Sequence, residues 1–169
     1  MKRVLVLGSS GSGKSTVSRR LGEALGVEVI HLDSHFWLPN WVSVPEEIWP
    51  ETVAGLLQRE AWVIDGNYTS TLPLRLAAAD SVVFLDVPRR VCLWRCLKRL
   101  VQNWGQNREE LAPGCYEKMD WAFFKWIWDY PRVQKPHIFA ILNAEAGDRP
   151  VYVLKGDQIE PFLENLRVR

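Results

Sequence analysis

The chain has 169 residues, 21 of them basic and 20 acidic, with 47% apolar and 24% charged residues and a formal charge of +1. These totals describe one ordinary globular domain, 1–169, long enough to bury a core without staples and with no bulk charge that would call for a polyanionic partner. Three cysteines, Cys92, Cys96 and Cys115, exclude a disulfide framework and predict a reducing, cytoplasmic setting, and no stretch reaches the ~20 apolar residues a membrane span needs.

The first apolar run, Val4 to Leu7, stops at Gly8 and reads as a strand buried on both faces. From Lys14 the spacing becomes helical, with Val17, Leu21 and Leu25 before Gly26. Val27 to Leu32 is predicted as a second strand closed by Asp33, and Ser34 to Pro45 as an aromatic, proline-containing loop. A helix is expected within Pro45 to Ala61, its start blurred by Pro50. Trp62 to Asp65 reads as a strand, Thr71 to Ala79 as a short helix, Ser81 to Asp86 as a buried strand, and Pro88 opens a helix. Asn103 to Gly114 is polar and turn-rich, the expected flap. Cys115 to about Ala146 reads as helix, broken or reset by Pro131 and Pro136. A strand at Pro150 to Leu154 and a helix at Asp157 to Leu166 close the chain. Strands that alternate with helices predict an α/β fold with a parallel sheet.

Gly8-Ser9-Ser10-Gly11-Ser12-Gly13-Lys14-Ser15 satisfies G-x-x-x-x-G-K-[ST] at every required position. A triphosphate needs donors from bare backbone, and glycines let the chain curl close to it. Lys14 is expected on the outer phosphates, Ser15 on a magnesium ion, and Thr16 in the first helical turn beside them. The cofactors expected are therefore ATP or GTP with Mg²⁺.

Beyond that loop, Trp62-Val63-Ile64-Asp65-Gly66 and Phe84-Leu85-Asp86-Val87-Pro88, followed by a helix with Arg95 and Arg99, resemble adenylate-kinase-like P-loop kinases. His31-Leu32-Asp33, Trp62 to Tyr68, Phe84 to Arg95 and the tryptophan-rich Met119 to Tyr130 are similar to the DNA topology modulation protein family, over nearly the whole chain. The resemblance implies a three-layer P-loop NTPase fold, a five-stranded sheet in the order 2-3-1-4-5 with helices on both faces. It also implies an acceptor-binding segment at 34–61 and a lid at 100–118.

Asp65 is the candidate water-mediated magnesium ligand, against the plainer reading of a turn-capping aspartate. Asp33 either meets an acceptor hydroxyl or simply forms a turn. Arg95, Arg99 and Arg132 are the candidates for charge on the transferring phosphoryl group, and Arg95 and Arg99 share a helix face. Asn67 and Tyr68 are weaker acceptor candidates. His31, His35 and His137 do not cluster and read as structural. Trp121, Phe124, Trp128, Phe123 and Trp126 line a helix almost all round, which predicts core packing or a subunit contact and so a homodimer if that face is exposed. Phe36, Trp37 and Trp41 lie in the acceptor segment and are placed to stack on a flat acceptor or to bury the loop.

Adenylate kinases grip the acceptor phosphate with arginines, but Asn67-Tyr68-Thr69 follows Asp65-Gly66 here, and Arg59 is the only arginine between Asp33 and Asp65. The expected acceptor is therefore a small molecule other than a conventionally bound nucleoside monophosphate. Three readings stand: a phosphotransferase, a nucleotide-dependent binding protein, and a simple NTPase. The charge balance and the lack of a reader motif argue against direct nucleic-acid binding.

Overall fold

The computed structural model describes residues 1–107 and 111–167. Strand β1 (Arg3–Gly8) lies at the centre of a parallel sheet, with β5 (Trp62–Asp65) on one side and β6 (Ser81–Leu85) on the other. β2 (Glu28–His31) extends the sheet beyond β5, and β7 (Val151–Leu154) beyond β6. The order β2-β5-β1-β6-β7 is 2-3-1-4-5 when only the strands of this sheet are counted, as expected.

Alternation along β1 divides the core into two layers. Leu5 and Leu7 join Ile64, Phe84, Leu72 and Leu76 on one face. Val4 and Val6 join Val17, Leu21, Val83 and Cys92 on the other. The first layer is covered by α3 (Trp49–Leu56), α4 (Leu72–Ala78) and α7 (Gln134–Glu145). The second is covered by α1 (Lys14–Leu25), α5 (Arg89–Gln102) and α8 (Ile159–Arg167). Between α5 and α7 stands α6 (Trp121–Asp129), capped by Asp120, whose carboxylate accepts from the amides of Ala122 and Phe123.

Several local expectations change. The second strand ends at His31, and Asp33 sits in the first turn of a five-residue helix, α2 (Leu32–Phe36), not at a strand terminus. The expected loop 34–45 contains a small antiparallel hairpin, β3 (Trp37–Leu38) with β4 (Val42–Ser43). Its turn carries Asn40 and Trp41 at φ near 63° and 62°. Pro50 lies in the first turn of α3, where its missing N–H costs nothing, so that helix begins at Trp49 rather than Pro45. Cys115 to Asp120 is not helical, Pro131 falls between α6 and α7, and Pro136 fits the first turn of α7.

The flap after α5 is tied by bridges from Trp104 to Glu117 and from Asn107 to Tyr116. The centre of the expected lid, residues 108–110, lies outside the described residues. The flap also clasps the β3–β4 hairpin. Trp41 Nε1 donates to the Tyr116 carbonyl at 2.9 Å, the Asn40 amide to Gly114 at 3.0 Å, and Cys115 Sγ to Leu38 at 3.2 Å. Among the described residues no helix is long and apolar enough to cross a membrane.

Candidate active site at the strand ends

The loop between β1 and α1 turns at Gly8, Gly11 and Gly13, with φ of 145°, 78° and 100°. Those angles lie where side chains are rarely accommodated. At Gly11 a second constraint applies: a Cβ there would lie 2.3 Å from the Cys92 carbonyl and 2.9 Å from Cys96 Sγ. Helix α5 therefore backs directly onto the loop, with Cys92 and Cys96 buried on the same helix face. Burial raises the Cys92 thiol to about 11, which makes it a packing group.

Inside the loop the Ser12 amide donates to Ser9, and the Ser12 hydroxyl is buried without a partner among the described residues. Lys14 curls back so that Nζ donates to the Ser9 carbonyl at 3.0 Å. Burial lowers the Lys14 pKa, while Asp33 and Asp65 pull it up, so both carboxylates bear on the lysine charge. Ser15 is the second residue of α1, and Thr16 follows it on the exposed side. An orphaned hydroxyl, a cationic tip and a helix N-terminus together suit a phosphate chain.

Asp65 ends β5 almost fully buried, and its cross-strand partner His31 places Nδ1 2.7 Å from Oδ2. The histidine thus holds the carboxylate proposed for magnesium. Among the described residues no group of three His, Cys, Asp or Glu is gathered to hold a metal. A magnesium ion would fit only with phosphate and water supplying most of its shell, and the protein's share would fall to Ser15 and Asp65. Asp33 accepts a 2.6 Å hydrogen bond from the Tyr68 hydroxyl. Burial and the nearby Asp33 charge push the Tyr68 pKa far up, so the phenol keeps its proton.

The arginine candidates separate. Arg95 reaches the phosphate loop, with Nη1 3.4 Å from the Gly11 carbonyl and 3.3 Å from that of Ser12. Arg99 instead pairs with the buried Glu117 of the flap at 3.1 Å. Arg132 stands exposed in the turn after α6. In that region Lys135, not Arg132, reaches a strand end, donating to Asp86 at 2.7 Å.

Asn67 faces the phosphate loop. Its Oδ1 accepts from the Gly8 amide at 3.1 Å and its Nδ2 donates to the Gly8 carbonyl at 3.0 Å. Arg75, overlooked in the sequence, is fully buried and donates to the carbonyls of Gly66, Asn67 and Tyr68. The signal was present: Arg75 falls on the apolar stripe Leu72, Leu76 and Ala79, where a charge needs a reason.

Phe36, Trp37, Trp49 and Tyr68 form a cluster of ring contacts, with Phe36 4.9 Å from Trp37, 5.0 Å from Trp49 and 4.6 Å from Tyr68. Trp41 adds a contact to Trp37 at 5.7 Å. On α6, Ile127 is buried and Phe123, Phe124 and Trp126 pack on the core. Trp121 is 77% exposed and Trp128 42%, so the helix is only half absorbed.

No family model matches the sequence. The chain is 29% identical over 130 residues to the uncharacterized protein YqaC of Bacillus subtilis, covering 74% of this chain and 70% of that one. It is 36% identical over 108 residues to shikimate kinase of Halorhodospira halophila, a match that spans 55% of this chain and 61% of the kinase. The structure of shikimate kinase from Acinetobacter baumannii in complex with shikimate superposes with a TM-score of 0.64 at 17% identity, over 98% of this chain and 90% of that one. The chain thus shares the fold of the solved shikimate kinases, and over 55% of its length its sequence is similar to one of them.

Proposed function

We propose that this protein transfers the γ-phosphoryl group of ATP, with magnesium, to a hydroxyl of an uncharged small molecule. The observation that carries the reading is Lys14, which lies against a closed phosphate loop while Asp33 and Asp65 act on its charge from the neighbouring strand ends. Phosphoryl transfer depends on positioning and charge, and this site supplies both. The loop amides and Lys14 hold the triphosphate, Arg95 faces it from α5, and Ser15 and Asp65 complete the metal shell. Asp33 meets the acceptor hydroxyl.

An uncharged acceptor follows from what the acceptor side offers. Its rings are Phe36, Trp37, Trp49 and Tyr68, Arg59 is paired with Glu28 at 3.1 Å, and Arg75 is committed to backbone carbonyls. Among the described residues, an anionic acceptor would find no uncommitted guanidinium between Asp33 and Arg75. Shikimate kinase is one of the relatives, so shikimate belongs among the acceptors tried; it is a carboxylate, and its efficient phosphorylation would overturn the uncharged class. The likeness to the DNA topology modulation family is compatible with this chemistry, and the near-neutral chain gives it no reason to grip a duplex directly.

The test is ADP release with Mg-ATP across a panel of nucleosides, sugars, shikimate, nucleoside monophosphates and other metabolites. A neutral hydroxyl compound should raise ADP release well above the acceptor-free rate. Efficient phosphorylation of AMP would overturn the acceptor class. Slow release indifferent to every acceptor would overturn the kinase reading in favour of a nucleotide-gated binding protein.

A further inference from the structure

Resting on that reading, the geometry points to Arg75 as a positioning residue that sets the nucleotide side and the acceptor side of the site together. Its guanidinium is fully buried, and its acceptors are three successive carbonyls: Gly66 at 2.8 Å, Tyr68 at 2.9 Å, and Asn67. Burial lowers its pKa to about 9, so it stays charged at neutral pH. A buried guanidinium satisfied by carbonyl dipoles is an expensive way to fill a core. A leucine would pack there at less cost, so the arginine has a different task.

That task is the turn after β5. Three consecutive carbonyls aimed at one point force the backbone out of its ordinary wells: Gly66 lies at φ 133°, and Tyr68, a non-glycine, at φ 29°. Strain of this kind persists only where its surroundings impose it. The two side chains presented by the strained turn point in functional directions. Asn67 closes its pair of hydrogen bonds on Gly8, the first residue of the phosphate loop. Tyr68 donates to Asp33, the acceptor-side carboxylate. One cation thereby fixes both the entrance of the phosphate cradle and the orientation of the group that receives the acceptor hydroxyl. Arg75 touches neither substrate, and its effect runs through Asn67 and Tyr68.

The experiment separates the two branches. Asn67→Ala should weaken Mg-ATP binding about tenfold, by calorimetry without acceptor, and leave the acceptor KM within twofold. Tyr68→Phe should leave Mg-ATP affinity within twofold and lower kcat about tenfold, because Asp33 loses the donor that orients it. Arg75→Lys should show both defects, and Arg75→Met more strongly, at temperatures well below their melting points. Folded Arg75 variants with Mg-ATP affinity within twofold of the parent would overturn the inference. If the Arg75 variants do not fold, the branch variants decide it: interchangeable defects in Asn67→Ala and Tyr68→Phe, or none, would overturn it. Wild-type protein with no acceptor-stimulated turnover would refute the kinase reading alone, because the calorimetric arm reads Arg75 without chemistry.

Discussion

His31 and Asp65 meet across β2 and β5 with Nδ1 2.7 Å from Oδ2, so the buried carboxylate at the head of β5 is already oriented by an imidazole. If Asp65 steadies magnesium through water, Asp65→Asn should lower turnover about 10²-fold and raise the Mg²⁺ concentration at half-maximal rate. His31→Gln should cost less, about tenfold, since it orients the carboxylate and does not replace it. Magnesium titrations of the three proteins check this, and an unchanged midpoint in Asp65→Asn would remove that residue from the metal.

Lys14→Ala should abolish measurable turnover, a loss of about 10³-fold or more, while circular dichroism stays native. The lysine also links proton uptake to binding. Burial lowers its pKa below the ordinary 10.5. The folded, nucleotide-free protein therefore sheds this proton before the unfolded chain does. Its burial penalty applies in full below the lowered pKa and is relieved as pH rises through it toward 10.5. Phosphates reverse the shift, so Mg-ATP binding at alkaline pH should take up protons. Calorimetry in two buffers of different ionisation enthalpy should show that uptake, and it should vanish in Lys14→Met.

Gly11→Ala adds a methyl group at φ 78° and 2.3 Å from the Cys92 carbonyl, against backbone that cannot retreat cheaply. We expect a loss of about 2–3 kcal/mol, or a fall in melting temperature on the order of 5–10 °C, with weakened nucleotide binding. Gly55→Ala, where a Cβ meets nothing within 4 Å, is the control and should melt at or above the parent temperature. Thermal melts of both variants decide it.

Arg95 and Arg99 share a helix face but not a partner. Arg95→Ala should lower turnover about 10²-fold with little change in nucleotide affinity, because it faces the phosphate loop. Arg99→Ala should instead speed hydrogen exchange at the Gly105 and Glu117 amides, which bond the Glu117 and Gln106 carbonyls within the flap that Arg99 anchors. Equal kinetic defects with unchanged exchange would merge the two roles.

The sheet and the phosphate loop were legible because they rest on local rules: short apolar runs, glycines at fixed spacing, and a four-residue helical repeat from Val17 to Leu25. The acceptor side was less so. Helix α2 is five residues long, too brief for periodicity to register. The β3–β4 hairpin turns on Asn40 and Trp41 at positive φ, and Pro39-Asn40 was a turn signal for it, but a two-residue strand leaves no alternation to read. Arg99 looked like Arg95 because sequence gives a helix face and not what lies opposite it. Arg75 escaped notice because its partners are main-chain carbonyls, which carry no letter.

The clasp of Trp41, Asn40 and Leu38 on Gly114, Cys115 and Tyr116 has a kinetic consequence. If the expected lid closes over the nucleotide and the expected acceptor segment over the acceptor, those three bonds make the two shutters one body. Neither substrate would then be walled off from water by itself, and desolvation of the reacting oxygens would arrive in a single movement. Departure would be shared as well: the swing that frees one product would uncover the other.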